Sequence, residues 1–227
     1  DTVRLDNPQL TVRRCPGATF FQGVFAHYRE ASRAVEAVLR EFSPTVVMAS
    51  LDEAYLDYSG TDRLFPGSLM PEAVRIRDAV RTAAGLDCSV GIGPNRMVAK
   101  LASDYAKPRG LMEVRAGWEE GFLAGLAVSA LPGVGPKTAA RWAERGLVDV
   151  AQIQRMSAEE LTHVVGEDAR ALKLRAHGYG GTTLRAGRLP RSVSRETTLS
   201  RDARDPGRLE DRLALPTARV EAQLRDE

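Results

Sequence analysis

Two adjacent carboxylates, Asp52 and Glu53, stand between two short runs that each have the pattern of a β-strand. Residues 45–49 are mostly β-branched and apolar, and residues 54–58 alternate between apolar and more polar side chains, the period of a half-buried strand. Two like charges this close repel each other, and Mg²⁺ is commonly held by one or two such carboxylates together with substrate phosphates. A solvated acidic turn is the ordinary alternative. The pattern therefore restricts this region to two strands with either a metal site or an acidic turn at their junction.

Helical and strand-like patterns alternate around this unit. Apolar residues recur at helical spacing over residues 26–42, a second helix starts at Pro71, and a third starts at Pro94. Further strands are predicted at residues 87–92 and 111–114. This order predicts an α+β fold in which helices cover one face of a mixed sheet.

The pattern changes near residue 117, where short helices separated by Gly, Pro and Asp begin. It changes again near residue 191, because residues 192–199 have the composition of a strand and helical runs follow up to residue 227. We therefore predict an α+β part, a helical part and the beginning of a third unit.

The composition excludes several classes of protein. The chain has 227 residues, of which 43% are hydrophobic and 27% charged, as is usual for a soluble globular protein. No apolar run reaches the roughly 18 residues of a membrane-spanning helix, and residues 1–6 do not resemble a signal peptide. Cys15 and Cys88 are far apart, which favours reduced thiols over a disulfide or a metal site. We expect a cytoplasmic protein without membrane contact.

Basic residues concentrate in one stretch, although the formal net charge is only +2. Residues 170–201 contain eight Lys and Arg residues and a single acid, Glu196. This density of positive charge is expected where a protein contacts the phosphate backbone of a nucleic acid. A flexible solvated linker is the alternative for residues 178–190.

Residues 131–138 have the form of a helix-hairpin-helix turn. Gly133 and Gly135 allow a tight turn and a close approach of the backbone to a phosphate oxygen. The amides that follow, including those of Lys137 and Thr138, open a helix N-terminus, which favours anions, and Lys137 adds a positive charge. A phosphate-binding P-loop needs Gly directly before the Lys-Thr pair, whereas this chain has Pro there. We predict contact with a DNA backbone, with an ordinary helix–helix turn as the alternative.

Two lysines, Lys100 and Lys107, are seven residues apart in the third predicted helix. Seven residues make about two helical turns, so both ammonium groups can project from one face. Near a pair of metal-binding acids, such lysines would neutralise a triphosphate. A solvated helix face is the alternative.

Three stretches together resemble one family. Residues 50–57 (SLDEAYLD), 89–110 (SVGIGPNRMVAKLASDYAKPRG) and 131–135 (LPGVG) resemble, in this order and at these distances, the Y-family (translesion) DNA polymerases. The branch that they resemble most is the DNA polymerase IV, or DinB-type, branch. The resemblance covers nearly the whole chain.

The resemblance implies template-directed DNA synthesis opposite damaged or undamaged template. It implies that Asp52 and Glu53 hold two Mg²⁺ ions, and that Lys107, with Lys100 beside it, meets the incoming triphosphate. It also implies partners: primer–template DNA, deoxynucleoside triphosphates and, for the full-length protein, a sliding clamp. We expect a monomer. The residues that the resemblance places on DNA are Gly133, Gly135, Lys137, Thr138, Arg191 and Arg195.

The same resemblance divides the chain into four parts. They are a remnant of the fingers (1–24), a catalytic palm (25–115), a helical thumb with the helix-hairpin-helix (116–187), and a linker with a partial little finger (188–227). The family begins with a strand that carries a third metal-binding Asp, which residues 1–24 do not supply. We therefore expect a fragment, truncated at both ends, that is impaired or inactive as a polymerase.

Two other functions remain open. One is a non-catalytic DNA-binding relative that kept the fold, and the missing third acid favours it. The other is a nucleotidyl cyclase-type enzyme, which also places acids on a palm-like sheet. The cyclase alternative offers no role for the hairpin or for the basic stretch, so we rank it last.

Overall fold

The computed structural model describes residues 17, 19, 23–184, 192–196 and 205–226. The chain divides into two compact units, residues 1–184 and residues 185–227. The first unit starts with an α+β part, followed by a helical part. The elements of the α+β part are α1 (Phe25–Phe42), β1 (Val46–Met48), β2 (Ala54–Leu56), α2 (Met70–Ala84), β3 (Val90–Ile92), α3 (Arg96–Tyr105) and β4 (Leu111–Glu113).

The strands form two small sheets. Strands β1 and β2 are antiparallel, with Val46 opposite Leu56, whereas β3 and β4 are parallel, with Val90 opposite Leu111. The α+β class is confirmed, but the predicted single mixed sheet is replaced, in the part of the chain that the structure describes, by two separate pairs. Each strand has only three residues, and helix α2 joins the pairs by packing against β3, β4 and the helix α1 that covers β1.

The predicted helices and their faces match the structure closely. Helix α1 covers the expected range. Helix α2 has Pro71 in its first turn, where a backbone N–H would have no hydrogen-bond partner within the helix, so that its absence does not destabilise the helix. Their apolar faces meet in one buried cluster under the first strand pair. The members of this cluster are Val38, Leu39, Val46, Ile76 and Val80.

Strand β3 lies directly against the backbone of helix α3. A Cβ atom at Gly91 would be 2.1 Å from the Ala99 carbonyl oxygen and 2.2 Å from the Ser103 nitrogen. Glycine is therefore required by this close approach, since any side chain would push the helix away from the strand.

The helical part of the first unit surrounds its own core. Its helices are α4 (Glu119–Ala124), α5 (Pro136–Ala143), α6 (Val150–Arg155), α7 (Ala158–Val165) and α8 (Ala169–Ala176), with 3-10 turns at Val128–Ala130 and Gly166–Asp168. Leu123, Ile153, Leu161 and Leu172 are fully buried in this core, and Leu101 of α3 belongs to the same cluster. Helix α3 is thus shared between the two parts of the unit. The predicted domain boundaries stay predictions.

Asn95, the residue before α3, adds a polar link between these parts. Its Oδ1 accepts a hydrogen bond from the Val98 amide at 3.1 Å and so caps the helix, while its Nδ2 donates to the Gly178 carbonyl at 2.8 Å. The start of α3 is therefore tied to the end of the helical part.

The second unit contains α9 (Pro206–Asp226), in agreement with the predicted helical run. The strand predicted at residues 192–199 is not found in its described portion, residues 192–196. A strand needs a hydrogen-bonded neighbour, and the described residues of this unit offer only a helix. Residue 191 and residues 197–199 lie outside the described residues. Across the described chain, no helix combines the length and the apolar character needed to cross a membrane.

Candidate active site and nucleic-acid interface

The predicted acid pair lies in the turn that connects β1 with β2. The amides of Ala49 and Ser50 donate to the Glu53 carbonyl at 2.8 and 3.2 Å and close this turn. The Ser50 hydroxyl donates to Asp52 Oδ1 at 2.6 Å, and the Asp52 side chain is exposed. The junction between strands that the sequence predicts is therefore a hairpin turn that presents both acids.

Glu53 is held by two partners from different elements. Its Oε1 accepts a hydrogen bond from the Tyr55 hydroxyl at 2.8 Å, and its Oε2 lies 2.5 Å from Lys100 Nζ. The hydrogen bond from Lys100 is the main reason why the pKa of Glu53 lies below its ordinary value, and the same bond raises the pKa of Lys100. Both groups are therefore charged at neutral pH.

The two lysines meet at an acid that the sequence analysis missed. Lys107 lies beyond Tyr105, the last residue of α3, so the prediction that both lysines project from one helical face is wrong. Its ammonium group turns back to Asp104, 2.7 Å from Oδ1, while Lys100 Nζ is 3.8 Å from Asp104 Oδ2. The spacings of three and four residues are typical of helical ion pairs and would have indicated this acid.

A further cation, Arg96, lies beside the cluster formed by Asp52, Glu53, Lys100, Asp104 and Lys107. The Arg96 guanidinium lies over the Tyr55 ring, 4.7 Å from its centroid, as in a cation–π contact. Burial is the largest cause of the raised pKa of Tyr55, so its hydroxyl stays protonated and donates to Glu53. The sequence analysis assigned no role to Tyr55 or Arg96.

The carboxylates suit a hard divalent cation in chemical type, because Mg²⁺ prefers oxygen ligands. Asp52 Oδ2 takes no hydrogen bond or ion pair from the described residues. Within the ranges that the structure describes, no group of three His, Cys, Asp or Glu side chains is placed to hold a metal. Asp52 and Glu53 supply two carboxylates of the type that such an ion binds, Asp52 with one oxygen outside any hydrogen bond from the described residues and Glu53 with both oxygens hydrogen-bonded.

The predicted hairpin is a tight turn anchored at both ends. Leu131 and Val134 are 1% and 8% exposed, and the Val134 amide donates to the Leu131 carbonyl at 3.0 Å. Gly133 between them has a φ of +91°, a conformation that favours glycine. Arg175 of α8 donates through Nη1 to the Pro132 carbonyl at 2.5 Å. No sequence pattern indicates this contact, which joins residues 43 positions apart.

Helix α5 starts directly after this turn, with Gly135 as its N-cap and Pro136 as its first residue. Lys137 is exposed and Thr138 is half-buried. The amides of Gly133 and Gly135 donate no hydrogen bond to any residue that the structure describes. The hairpin therefore offers free amide donors beside a lysine.

Of the two arginines predicted to follow the template, one belongs to the described part of the second unit and the other is not described. Arg191 lies outside the described residues. Arg195 is exposed in the second unit, where its Nη1 donates to the Ser194 carbonyl at 3.4 Å.

Comparison with known proteins gives two family models. Residues 8–104 match the impB/mucB/samB family, and residues 125–176 match the SAM-like helix-hairpin-helix tandem. The chain is 35% identical over 216 residues to a DNA polymerase IV of Caulobacter vibrioides, covering 95% of this chain and 54% of that protein. It is 37% identical over 212 residues to a DNA polymerase IV of Halorhodospira halophila, covering 93% of this chain and 59% of that protein.

Solved structures agree with these matches. A Y-family DNA polymerase chimera of Dbh and Dpo4 is 25% identical, with a TM-score of 0.66, over 78% of this chain and 52% of that chain. DinB of Sulfolobus solfataricus is also 25% identical, with a TM-score of 0.68 over 78% of this chain and 52% of that chain. The chain is thus similar, along most of its length, to the Y-family DNA polymerases.

Most residues of the candidate site lie within the ranges matched by the two family models. The impB/mucB/samB match includes the acid pair, Lys100 and Asp104, and ends before Lys107. The tandem match includes the whole hairpin and Arg175. The chain spans about half the length of the curated relatives it matches, between 54% and 59% for the two named here.

Proposed function

We propose that this chain carries the catalytic and primer-holding parts of a template-directed DNA polymerase of the translesion type. The observation that carries the proposal is the cluster at the β1–β2 turn, where Glu53, next to Asp52, pairs with Lys100 of α3, and Lys107 lies near Lys100 because both contact Asp104. Carboxylates beside partly exposed ammonium groups suit a reaction in which a metal-bound triphosphate is attacked.

The acids would bind Mg²⁺, in two ions according to the family resemblance. When bound, two such ions activate the primer 3′-hydroxyl and neutralise charge on the leaving pyrophosphate. Asp52 would contribute its free Oδ2. Glu53 would contribute a carboxylate that stays ionised at neutral pH because Lys100 holds its pKa down.

The lysines would take the triphosphate. Asp104 keeps Lys107 near Lys100 although Lys107 lies past the helix end, so the two ammonium groups are held near each other without either being buried. Positive charge fixed in advance stabilises the negative charge that develops on phosphate oxygens during transfer.

The hairpin would hold the primer backbone. Free amides at Gly133 and Gly135, the N-terminus of α5 and the exposed Lys137 all favour a phosphate group, without contacts that read bases. Thr138 would contribute its amide, and Arg191 and Arg195 would contact the template strand. The match to the helix-hairpin-helix tandem supports the hairpin contact, whereas the two arginines lie beyond the matched residues.

Other parts of the proposal rest on the resemblance alone. They are deoxynucleoside triphosphates as substrates, a monomeric state and a sliding clamp as a partner of the full-length protein, whereas a cytoplasmic location is proposed from the composition and the two cysteines.

Primer extension by the full-length gene product that contains these residues tests the proposal. Asp52→Asn and Glu53→Gln should each lower the extension rate by about a hundredfold or more, since each removes a ligand charge at the reacting centre. Duplex affinity should change less than about twofold, because neither acid touches the hairpin. Asp62→Asn, at an exposed acid outside the cluster, is the matched control and should extend normally.

The outcomes separate the alternatives. Extension at the unmodified rate by either Asp52→Asn or Glu53→Gln contradicts the catalytic assignment. An unmodified protein that binds duplex DNA in a salt-sensitive manner but never extends a primer is a non-catalytic relative. Absence of salt-sensitive DNA binding would leave only the cyclase-type alternative.

A further inference from the structure

We infer that Arg175 is a positioning residue for the DNA contact of the hairpin, one that sets the direction of the Gly133 amide. The inference rests on the proposed function, because it concerns how the hairpin holds a phosphate. It does not require Arg175 to touch DNA.

The hairpin turn has the features of a type II β-turn. Pro132 and Gly133 occupy its two central positions, the Val134 amide donates to the Leu131 carbonyl at 3.0 Å, and φ at Gly133 is +91°. Type I and type II turns differ in the orientation of the peptide group that joins their two central residues. In this turn, that group consists of the Pro132 carbonyl and the Gly133 amide.

Arg175 binds this same peptide group. Its Nη1 donates to the Pro132 oxygen at 2.5 Å, and its Nε donates to the Ala171 carbonyl at 3.3 Å within α8. The helix is fixed in the core by Leu172 and Ala176, both fully buried. The guanidinium therefore holds the carbonyl from a rigid support.

Holding the Pro132 carbonyl also fixes the direction of the Gly133 N–H bond. In a planar trans peptide the C=O and N–H bonds point in opposite directions, and the only cis bond among the described residues lies elsewhere, between Lys107 and Pro108. The Gly133 N–H consequently points away from Arg175. Gly133 is exposed, and its amide has no acceptor among the described residues. It is free to donate to a phosphate oxygen.

The space around Gly133 supports the same role. A Cβ atom at Gly133 would lie 2.9 Å from Arg175 Nη1. Glycine is thus favoured by the positive φ, and a side chain here would also displace the guanidinium from its place beside the turn. Arg175 and Gly133 act as one unit.

Duplex binding as a function of salt separates positioning from direct contact. We expect Arg175→Met to weaken binding of a primer–template duplex by about tenfold, about the effect of one misdirected hydrogen bond to a charged group. The slope of log affinity against log salt should stay unchanged, whereas Lys137→Ala, which removes a phosphate contact, should reduce that slope by about 0.9. Arg175→Lys keeps a donor and should recover part of the affinity.

Arg170→Met is the matched control, since it removes the same charge from an exposed position of the same helix. The inference is overturned if Arg175→Met binds as tightly as the unmodified protein, if it loses no more than Arg170→Met, or if its salt slope falls as that of Lys137→Ala does. Thermal unfolding of each variant verifies folding. If Arg175→Met does not fold, the inference is tested with Arg175→Lys, for which we expect a smaller loss of duplex affinity, about threefold. If the unmodified protein shows no salt-dependent duplex binding, the proposed function fails instead.

Discussion

The ammonium group of Lys100 and the carboxylate of Glu53 lie 2.5 Å apart, although 47 positions separate them in the chain. Glu53 belongs to the β1–β2 turn and Lys100 to α3, which packs on the other strand pair. The contact therefore joins the two small sheets at the candidate active site. It also keeps a negative and a positive group side by side where both would meet a metal-bound triphosphate.

Removing this partner should change how Glu53 titrates. Lys100→Met should raise the pKa of Glu53 towards its ordinary value, because the hydrogen bond from Lys100 is the main cause that lowers it. A carboxyl whose folded pKa is lowered stabilises the fold above its unfolded pKa, and that stability is lost as the pH falls through the folded value. The variant should therefore lose less stability on acidification. Carbon NMR of the Glu53 carboxyl measures the pKa directly, Lys137→Met is the control, and an unchanged titration contradicts the prediction.

Asp104 should influence nucleotide binding through Lys107. Asp104→Asn weakens the ion pair that holds Lys107 near Lys100, so we expect the KM for the nucleotide to rise about threefold to tenfold while kcat changes less. Steady-state primer extension by the full-length gene product measures both constants. Asp62→Asn serves as the control. A fall in kcat at constant KM would show that Asp104 acts on the chemical step and not on nucleotide binding.

Gly91 should tolerate no side chain. Gly91→Ala places a methyl group 2.1 Å from the Ala99 oxygen, so β3 and α3 must separate, and we expect the free energy of unfolding to fall by about 3 kcal/mol. Gly121→Ala is the matched control: nothing lies within 4 Å of its new methyl group, and Ala favours the helix. Denaturant unfolding should give a free energy of unfolding below that of the unmodified protein for Gly91→Ala and above it for Gly121→Ala. Equal stabilities would contradict the close approach.

The N-terminus of α7 should weaken on acidification. The Ser157 amide donates to Glu160 Oε2 at 2.7 Å, and this bond is the largest cause of the lowered pKa of Glu160. The stabilisation is present above the ordinary pKa of glutamate and disappears as the pH falls through the lower folded value. Glu160→Gln should therefore reduce the drop in Tm between pH 7 and about pH 3, a range that spans the ordinary glutamate pKa. A drop in Glu160→Gln as large as in the unmodified protein would contradict the prediction.

Local patterns predicted most of the elements. Helices α1 and α2 follow from apolar spacing and from the proline in the first turn of α2, and the acid pair follows from its place between two strand-like runs. These signals depend on neighbours within a few residues. For the same reason, they could not show that four short strands form two pairs, or that residues 192–196 are not in a strand, since strand pairing depends on distant partners.

The candidate site was only partly predictable for a similar reason. Asp52, Glu53, Lys100 and the hairpin glycines were found from motifs that are continuous in sequence. The Lys107 side chain was placed on a helical face, yet the helix ends at Tyr105 and Asp104 sets its position instead. The role of Arg175 could not be predicted from the sequence, because its contact with Pro132 arises only when α8 packs beneath the hairpin.

The double role of Asn95 has a consequence for how the chain is made. Its Nδ2 reaches Gly178, which lies 83 residues later and leaves the ribosome well after α3. The nascent α+β part therefore keeps one amide donor of Asn95 exposed to water until the residues after the last helix of the same unit have emerged. We expect both parts to acquire resistance to proteases together, late in translation, and not one after the other.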